Sequence, residues 1–95
     1  MQEVATLTNR EFLVAGDISH DGYKILVRQG HNNGAWMYNR LDGQSVEDAL
    51  LHNDPCDLNL EDETQGEAIA VSWDDAGFYT TSEGDSEPIW YYLFE

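Results

Sequence analysis

The chain has 95 residues, with 19 Asp and Glu against 4 Lys and Arg, which gives a formal net charge of −15 at pH 7. This charge repels phosphate groups, so neither nucleic acid nor an anionic membrane surface is expected as a partner. Hydrophobic residues make up 41% of the chain and cysteine occurs once, which predicts one small folded domain, or part of a larger one, without a disulfide framework.

The first part of the chain predicts four short antiparallel strands. Runs rich in β-branched and aromatic residues alternate with polar breaks that contain glycine, and no run reaches the length of a helix. The predicted strands cover residues 3–9, 12–19, 23–29 and 35–40. The breaks HDG, at residues 20–22, and GHNNG, at residues 30–34, are predicted turns because Gly and Asn tolerate positive φ.

The middle of the chain interrupts the β pattern. Ser45 followed by Asp48 is typical of a helix N-terminus, so residues 45–52 are predicted to form a short helix. An Asn-Asp-Pro sequence stops this helix, and residues 56–60 (CDLNL) are predicted to form a short strand. An acidic connection over residues 61–65 leads to the last part of the chain.

The last part of the chain predicts a three-stranded meander. Its strands cover residues 68–73, 78–82 and 89–94. They are separated by DDAG and EGDS, both built from turn-forming residues. The expected fold is therefore all-β, with two four-stranded antiparallel units over residues 3–40 and 56–94 of a single 1–95 domain and the short helix between them.

The two units repeat one pattern of Ser, an Asp- and Gly-containing turn, an apolar strand, a glycine turn and an aromatic strand. Three pairs of matching residues lie 53 or 54 positions apart and a fourth pair lies 50 apart: Ser19 and Ser72, Gly30 and Gly84, Trp36 and Trp90, and Asp17 and Glu67. Self-similarity over some tens of residues, with four strands per unit, is typical of β-propeller blades.

Residues 16–28 (GDISHDGYKILVR) and 65–84 (QGEAIAVSWDDAGFYTTSEG) resemble the S-x-D-G strand–turn–strand of the TolB-like and WD40-like β-propellers. Two departures occur: His20 stands where the family has Pro, and the second copy has a longer turn before Gly77. Both changes are compatible with a turn. The resemblance implies two blades of a six-bladed propeller, with their innermost strands beside a central channel, and it favours an extracellular location.

Two blades cannot close a ring, because each blade is apolar on both faces and needs neighbours. We therefore expect either that the remaining blades belong to a longer protein or that the chain self-associates, three copies forming a six-bladed ring with C3 symmetry. Residues 3–9 would then supply the fourth strand of the last blade, in the same molecule or in a neighbour. A strand-swapped dimer and a self-contained eight-stranded sandwich are the alternatives.

Four residues are candidate ligand contacts. Asp17 and Glu67, at matching places beside the channel, predict a Ca²⁺ or ligand site, because clustered carboxylates require cations. The alternative is that both accept hydrogen bonds from backbone N–H groups of the adjacent blade. Trp73 and its counterpart His20 would lie at the rim, where an exposed Trp beside acids can hold a sugar or a peptide, and ordinary packing is the alternative.

The remaining polar residues do not form a recognisable catalytic or zinc site. Asp21, Asp74 and Asp75 are expected to cap backbone N–H groups within turns. Cys56 lacks a second cysteine, and His52 alone does not complete a zinc site with it. Nucleophile-elbow, P-loop and dinucleotide-binding motifs do not occur in the sequence.

The expected function is a noncatalytic binding or scaffold module that presents acidic loops to a protein, a carbohydrate or Ca²⁺. Besides a plain solvated surface, acidity of this density fits cation binding, a basic partner or solubility in high salt. The alternative is a C-terminal fragment of a larger, hydrolase-like propeller enzyme whose catalytic groups lie on other blades.

Overall fold

A computed structural model describes residues 1–3, 6–7, 13–30, 34–61, 66–84 and 86–94. Within these ranges the chain forms seven strands and one helix. Their bounds are β1 Leu13–Ile18, β2 Lys24–Gln29, β3 Ala35–Asn39, α1 Val46–His52, β4 Cys56–Asp57, β5 Gly66–Val71, β6 Gly77–Ser82 and β7 Trp90–Leu93. The prediction of a β-rich fold with one short helix is confirmed for the described part of the chain.

The strands form two antiparallel sheets, each a simple meander. Sheet 1 has the order β1-β2-β3-β4, and sheet 2 has the order β5-β6-β7. The register shifts between Leu13 and Ala15 in sheet 1 and between Gly66 and Ala68 in sheet 2. These two bulges lie 53 residues apart, which is the spacing of Ser19 and Ser72 in the sequence.

β4 completes sheet 1 instead of opening the second unit. It pairs with β3 through Trp36 opposite Asp57 and Met37 opposite Cys56. The strand predicted over residues 56–60 is therefore shorter than expected and belongs to the first unit, because the chain returns from α1 to the edge of β3, whose backbone groups need partners. The strand predicted over residues 3–9 lies mostly outside the described residues, as does most of the acidic connection.

Helix α1 covers one face of sheet 1. Ser45 Oγ accepts a hydrogen bond from the Asp48 N–H at 3.0 Å, which confirms the predicted N-cap. Ala49 of this helix is fully buried against Ile25 and Tyr38 of the sheet. The short helix therefore depends on its contact with the sheet, since a helix of this length is unstable alone.

Trp36 and Trp90 hold the same position in their sheets. Trp36 lies opposite Val27, and Trp90 lies opposite Thr80, as the repeat predicts. Their surroundings differ, because Trp36 packs in the cluster under α1 whereas Trp90 is partly exposed. The repeat therefore matches the positions of these tryptophans in the sheets but not their surroundings.

The other face of sheet 1 packs against sheet 2 and forms the main core. Its buried apolar side chains are Leu26, Ala35, Ile69, Val71 and Phe78. The Phe78 ring stacks on Tyr92 with a centroid distance of 4.9 Å. Burial of a large apolar side chain stabilises the fold by roughly 1.5–3 kcal/mol, so this layer holds the two sheets together.

One charged side chain, Arg28 on β2, is fully buried in the same layer. Its Nη1 donates hydrogen bonds to the carbonyl oxygens of Ala68 at 2.8 Å and Thr81 at 3.1 Å. The guanidinium also lies against Gly66, where a Cβ atom would overlap with it. Arg28 therefore links β2 to both β5 and β6 through charge-assisted hydrogen bonds.

The two sheets converge at β1 and β5 and diverge toward β4 and β7. β1 and β5 make the most extensive contact between the sheets. At β4 and β7 a groove of about 340 Å³ is present, and its apolar lining is Met37, Cys56, Leu58, Phe78, Tyr92, Leu93 and Phe94. The pair of sheets is therefore wedge-shaped, with the turns β1–β2 and β5–β6 side by side at one end.

Candidate functional site at the paired turns

The β1–β2 turn is held by its own side chains. Ser19 Oγ accepts a hydrogen bond from the Lys24 N–H at 3.0 Å and donates one to Asp21 Oδ1 at 2.6 Å. The same carboxylate oxygen accepts a hydrogen bond from the Tyr23 N–H at 3.0 Å. Because the Ser19 hydroxyl and this N–H stabilise the carboxylate, the pKa of Asp21 lies below its ordinary value of 3.8.

The β5–β6 turn repeats this network. Ser72 Oγ accepts a hydrogen bond from the Gly77 N–H at 3.1 Å and donates one to Asp74 Oδ1 at 2.8 Å. The Ala76 N–H also donates to that carboxylate oxygen at 3.1 Å. The Ser72 hydroxyl and this N–H lower the pKa of Asp74. The prediction that these two aspartates cap their turns is confirmed.

The two turns have the same length. The Ser19 N–H donates to the Lys24 carbonyl at 2.9 Å, and the Ser72 N–H donates to the Gly77 carbonyl at 2.8 Å, so the partners are five positions apart in both turns. The expectation of a longer second turn is therefore wrong, because Gly77 begins β6 and does not lie in the turn.

Asp75 occupies the position that corresponds to Gly22 and joins the two turns. Both residues have positive φ, 81° for Gly22 and 59° for Asp75. The Asp75 carboxylate accepts hydrogen bonds from the His20 N–H at 2.8 Å and from the Asp21 N–H at 2.9 Å. Its pKa is lowered, chiefly by the bond from the His20 N–H. The left-handed conformation aims this side chain at the neighbouring turn and fixes the spacing of the two turns.

His20 and Trp73, at equivalent positions, are in contact. Their rings meet edge to face with a centroid distance of 5.2 Å, and His20 Nδ1 lies 2.9 Å from Asp75 Oδ1. Trp73 is nevertheless 88% exposed, although burial of an indole is strongly favourable. The structure thus brings together two of the four predicted ligand residues and leaves one indole open to solvent.

Asp17 and Glu67 are not brought together. Asp17 accepts hydrogen bonds from the Ile18 N–H at 2.8 Å and from the Val71 N–H of sheet 2 at 2.7 Å, which is the backbone-bonded alternative. Glu67 lies in the β5 bulge, at the position equivalent to Val14, so the predicted match between Asp17 and Glu67 is wrong. Glu67 is four residues from Val71 along the strand, about 13 Å away at 3.3 Å per residue.

The described residues contain no group of three or more His, Cys, Asp and Glu side chains that could hold a metal ion. The hydroxyls of Ser19 and Ser72 are engaged with carboxylates and backbone N–H groups, which makes them structural. Cys56 is exposed and forms no disulfide. What the paired turns offer chemically is an open indole beside ionised carboxylates.

None of the described helices is both long and apolar enough to cross a membrane.

Two residues that link the two sheets were not predicted from the sequence. Arg28 was assigned only to a strand, although its place two residues after Leu26, on the same face of that strand, could have indicated a buried role. The link made by Asp75 would have been found by matching the two copies at a constant offset of 53, which places Asp75 on Gly22.

No protein-family model, curated protein or solved structure showed a significant match to this chain.

Proposed function

We propose that the chain is a pair of β-propeller-type blades acting as a noncatalytic binding module for a Lys- or Arg-rich segment of a protein partner. The equivalent S-x-D turns and the wedge formed by the two sheets support the blade assignment. The sense of stacking supports it as well. The layers of the molecule follow the order α1, sheet 1, sheet 2. Phe78 and Thr80 of sheet 2 face sheet 1, and the corresponding residues of sheet 1, Ile25 and Val27, face α1. Equivalent faces of the two sheets therefore point in the same direction.

The observation that carries the binding proposal is the exposed indole of Trp73. Its edge-to-face contact with His20, itself hydrogen-bonded to Asp75, fixes its surroundings, so a ligand meets an ordered surface. The face of an indole is the best aromatic partner for a Lys or Arg side chain, with a contribution of about 0.5–1 kcal/mol at an exposed site.

Charge selects a cationic ligand over a neutral one. Asp74 adjoins Trp73 in the chain and Asp21 adjoins His20. The pKa of each carboxyl is lowered, by Ser72 and Ser19 respectively, so both carry charge at neutral pH. With a net charge of −15 for the whole chain, a basic segment is attracted from a distance and an acidic one is repelled.

The test is a titration of the protein with a Lys- and Arg-rich peptide, followed by calorimetry and by Trp fluorescence at two ionic strengths. We expect binding that weakens with salt and that Trp73→Ala weakens by roughly 2- to 5-fold per contacting cation. Tyr79→Ala is the matched control, because Tyr79 is also an exposed aromatic residue but lies on sheet 2 away from the turns. A Glu-rich peptide of equal length should not bind.

Equal losses for Trp73→Ala and Tyr79→Ala would contradict the proposed site. Equal binding of the basic and acidic peptides would contradict the choice of ligand. Salt-independent binding of an oligosaccharide that Trp73→Ala abolishes would retain the indole as the site but replace the basic peptide as its ligand.

A further inference from the structure

Sheet 2 has one face that no other described part of the chain covers, here called the outer face. Side chains alternate along a strand, and Ile69, Val71 and Phe78 point into the core, so their neighbours point away from it. The outer face is formed by Ala68, Ala70, Tyr79, Thr81, Tyr91 and Leu93. Tyr79 is 45% exposed, Tyr91 44% and Leu93 67%.

Two tyrosines make this face aromatic. The rings of Tyr79 and Tyr91 contact each other with their centroids 4.7 Å apart and their planes tilted by 45°. The Tyr91 ring extends across Gly77, since a Cβ at Gly77 would lie only 2.8 Å from Tyr91 Oη. The absence of a side chain at Gly77 therefore lets the aromatic ring lie close to the sheet.

The outer face carries no charged side chain at any of its six positions, although 24% of the chain is charged. Depletion of charge with enrichment of aromatic residues is the composition of a protein–protein interface core. Two molecules that each carry −15 repel each other wherever acids meet. An uncharged face is where such copies can approach at the least electrostatic cost.

The internal repeat shows what this kind of face accepts. The corresponding face of sheet 1 includes Leu26 and Met37 and is covered by sheet 2, so a stacked sheet fits there. The polar links of that contact are missing from the outer face, because the positions of Asp17 and Arg28 are taken by Ala70 and Thr81. The outer face is therefore adapted to a different sheet contact from the one between sheets 1 and 2.

Helix α1 limits how copies can stack. A ring of three copies needs sheet 2 of one molecule on the face of sheet 1 that includes Ile25 and Tyr38, and α1 covers that face. The outer face of one copy can meet the outer face of another without moving any element. Such a contact is isologous and closes with two-fold symmetry.

We propose that the outer face is the interface of a two-fold homodimer, in which Tyr79, Tyr91 and Leu93 of one copy pack against the same residues of a second copy. Three strands spaced about 4.8 Å apart give a small contact area, below the size of a standard interface, so we expect a weak dimer that dissociates on dilution. Screening of the repulsion between copies tightens it as salt is raised.

The test is sedimentation equilibrium of the wild-type chain over a range of concentrations at low and high salt. We expect a monomer–dimer equilibrium that shifts toward dimer at high salt. Leu93→Glu should weaken the dimer by at least roughly tenfold, because it buries an unpaired charge. Leu41→Glu is the matched control, since Leu41 is 63% exposed in the β3–α1 connection and the substitution adds the same charge outside the outer face.

A second measurement on the wild-type chain does not depend on any variant folding. Amide chemical shifts recorded on dilution should change in β5, β6 and β7 and remain constant in α1. A chain that stays monomeric at millimolar concentration in high salt overturns the proposal, as does a dimer whose shift changes lie elsewhere or that Leu41→Glu disrupts equally. Trp73→Ala should leave the dimer intact, so failure of peptide binding and failure of dimerisation are separate outcomes.

Discussion

Replacement of Gly66 by alanine tests how the two sheets are joined. A methyl group at this position would overlap with Arg28 Nη2 and would lie 2.5 Å from Cζ and 2.7 Å from Nε, closer than atoms can approach. Both groups are buried, so the guanidinium must move. It would then weaken its hydrogen bonds to Ala68 and Thr81.

The expected cost follows from these contacts. A hydrogen bond from a charged donor contributes roughly 1.5–3 kcal/mol, and overpacking of a filled site costs about 1–3 kcal/mol. Loss of one such bond together with residual strain gives a decrease of about 3–5 kcal/mol in the free energy of unfolding. Small domains have only about 5–15 kcal/mol in total, so the variant should be close to unfolding at room temperature.

Urea unfolding followed by Trp fluorescence measures this loss. Gly43→Ala is the control, because a Cβ at Gly43 meets no atom within 4 Å and its φ of 76° adds only backbone strain, about 1–3 kcal/mol. In a background of Arg28→Met, Gly66→Ala should cost less than in the wild type, because the thioether chain can yield to the methyl group. A loss below about 0.5 kcal/mol for Gly66→Ala, or additive effects in this cycle, would refute the assigned contact.

Two further predictions concern pH. The pKa of Asp75 is lowered from 3.8 mainly by the His20 N–H, so its contribution to stability is present above pH 3.8 and is lost as pH falls through the lower folded value. Acid titrations of wild type and Asp75→Asn, followed by circular dichroism, should differ in stability at neutral pH and converge in acid, and curves that stay parallel would contradict this. The Tyr23 hydroxyl donates to Asp42 at 2.6 Å, which raises the pKa of Tyr23 above its ordinary value of 10.0. Its contribution is therefore present below pH 10 and lost as pH rises through the folded value. Ultraviolet titration should show that Tyr23→Phe removes a late-titrating tyrosine, whereas loss of an early one would contradict the assignment.

The strands and turns could be predicted because their causes act over a few residues. The strand KILVRQ between two glycine-containing breaks, the Ser45 cap and the two S-x-D turns each contain their own hydrogen-bond partners or their own periodicity. Trp73 and His20 were matched as counterparts because both follow the same serine in the two copies, whereas their ring contact was not predicted.

The match between Asp17 and Glu67 failed for a physical reason. The match aligned the glycine before each acid, at an offset of 50, whereas the bulges and the turn serines of the two copies repeat at an offset of 53. A preceding glycine does not fix the register of a strand, so the match was displaced by three residues. A shift of this kind moves a carboxylate from one end of a strand to the other, which removes the pair from any common ion site.

By itself the sequence determined the β content, the short capped helix, the two equivalent turns and the excess of negative charge. Only the tertiary structure decided that β4 closes sheet 1, that α1 covers the far face of that sheet, that Arg28 is buried against Gly66, and that Asp75 joins the turns. These features depend on which faces of the sheets meet. Residues about 40 to 55 positions apart make such contacts, so they depend on how whole layers exclude water and fill space, which short-range patterns do not encode.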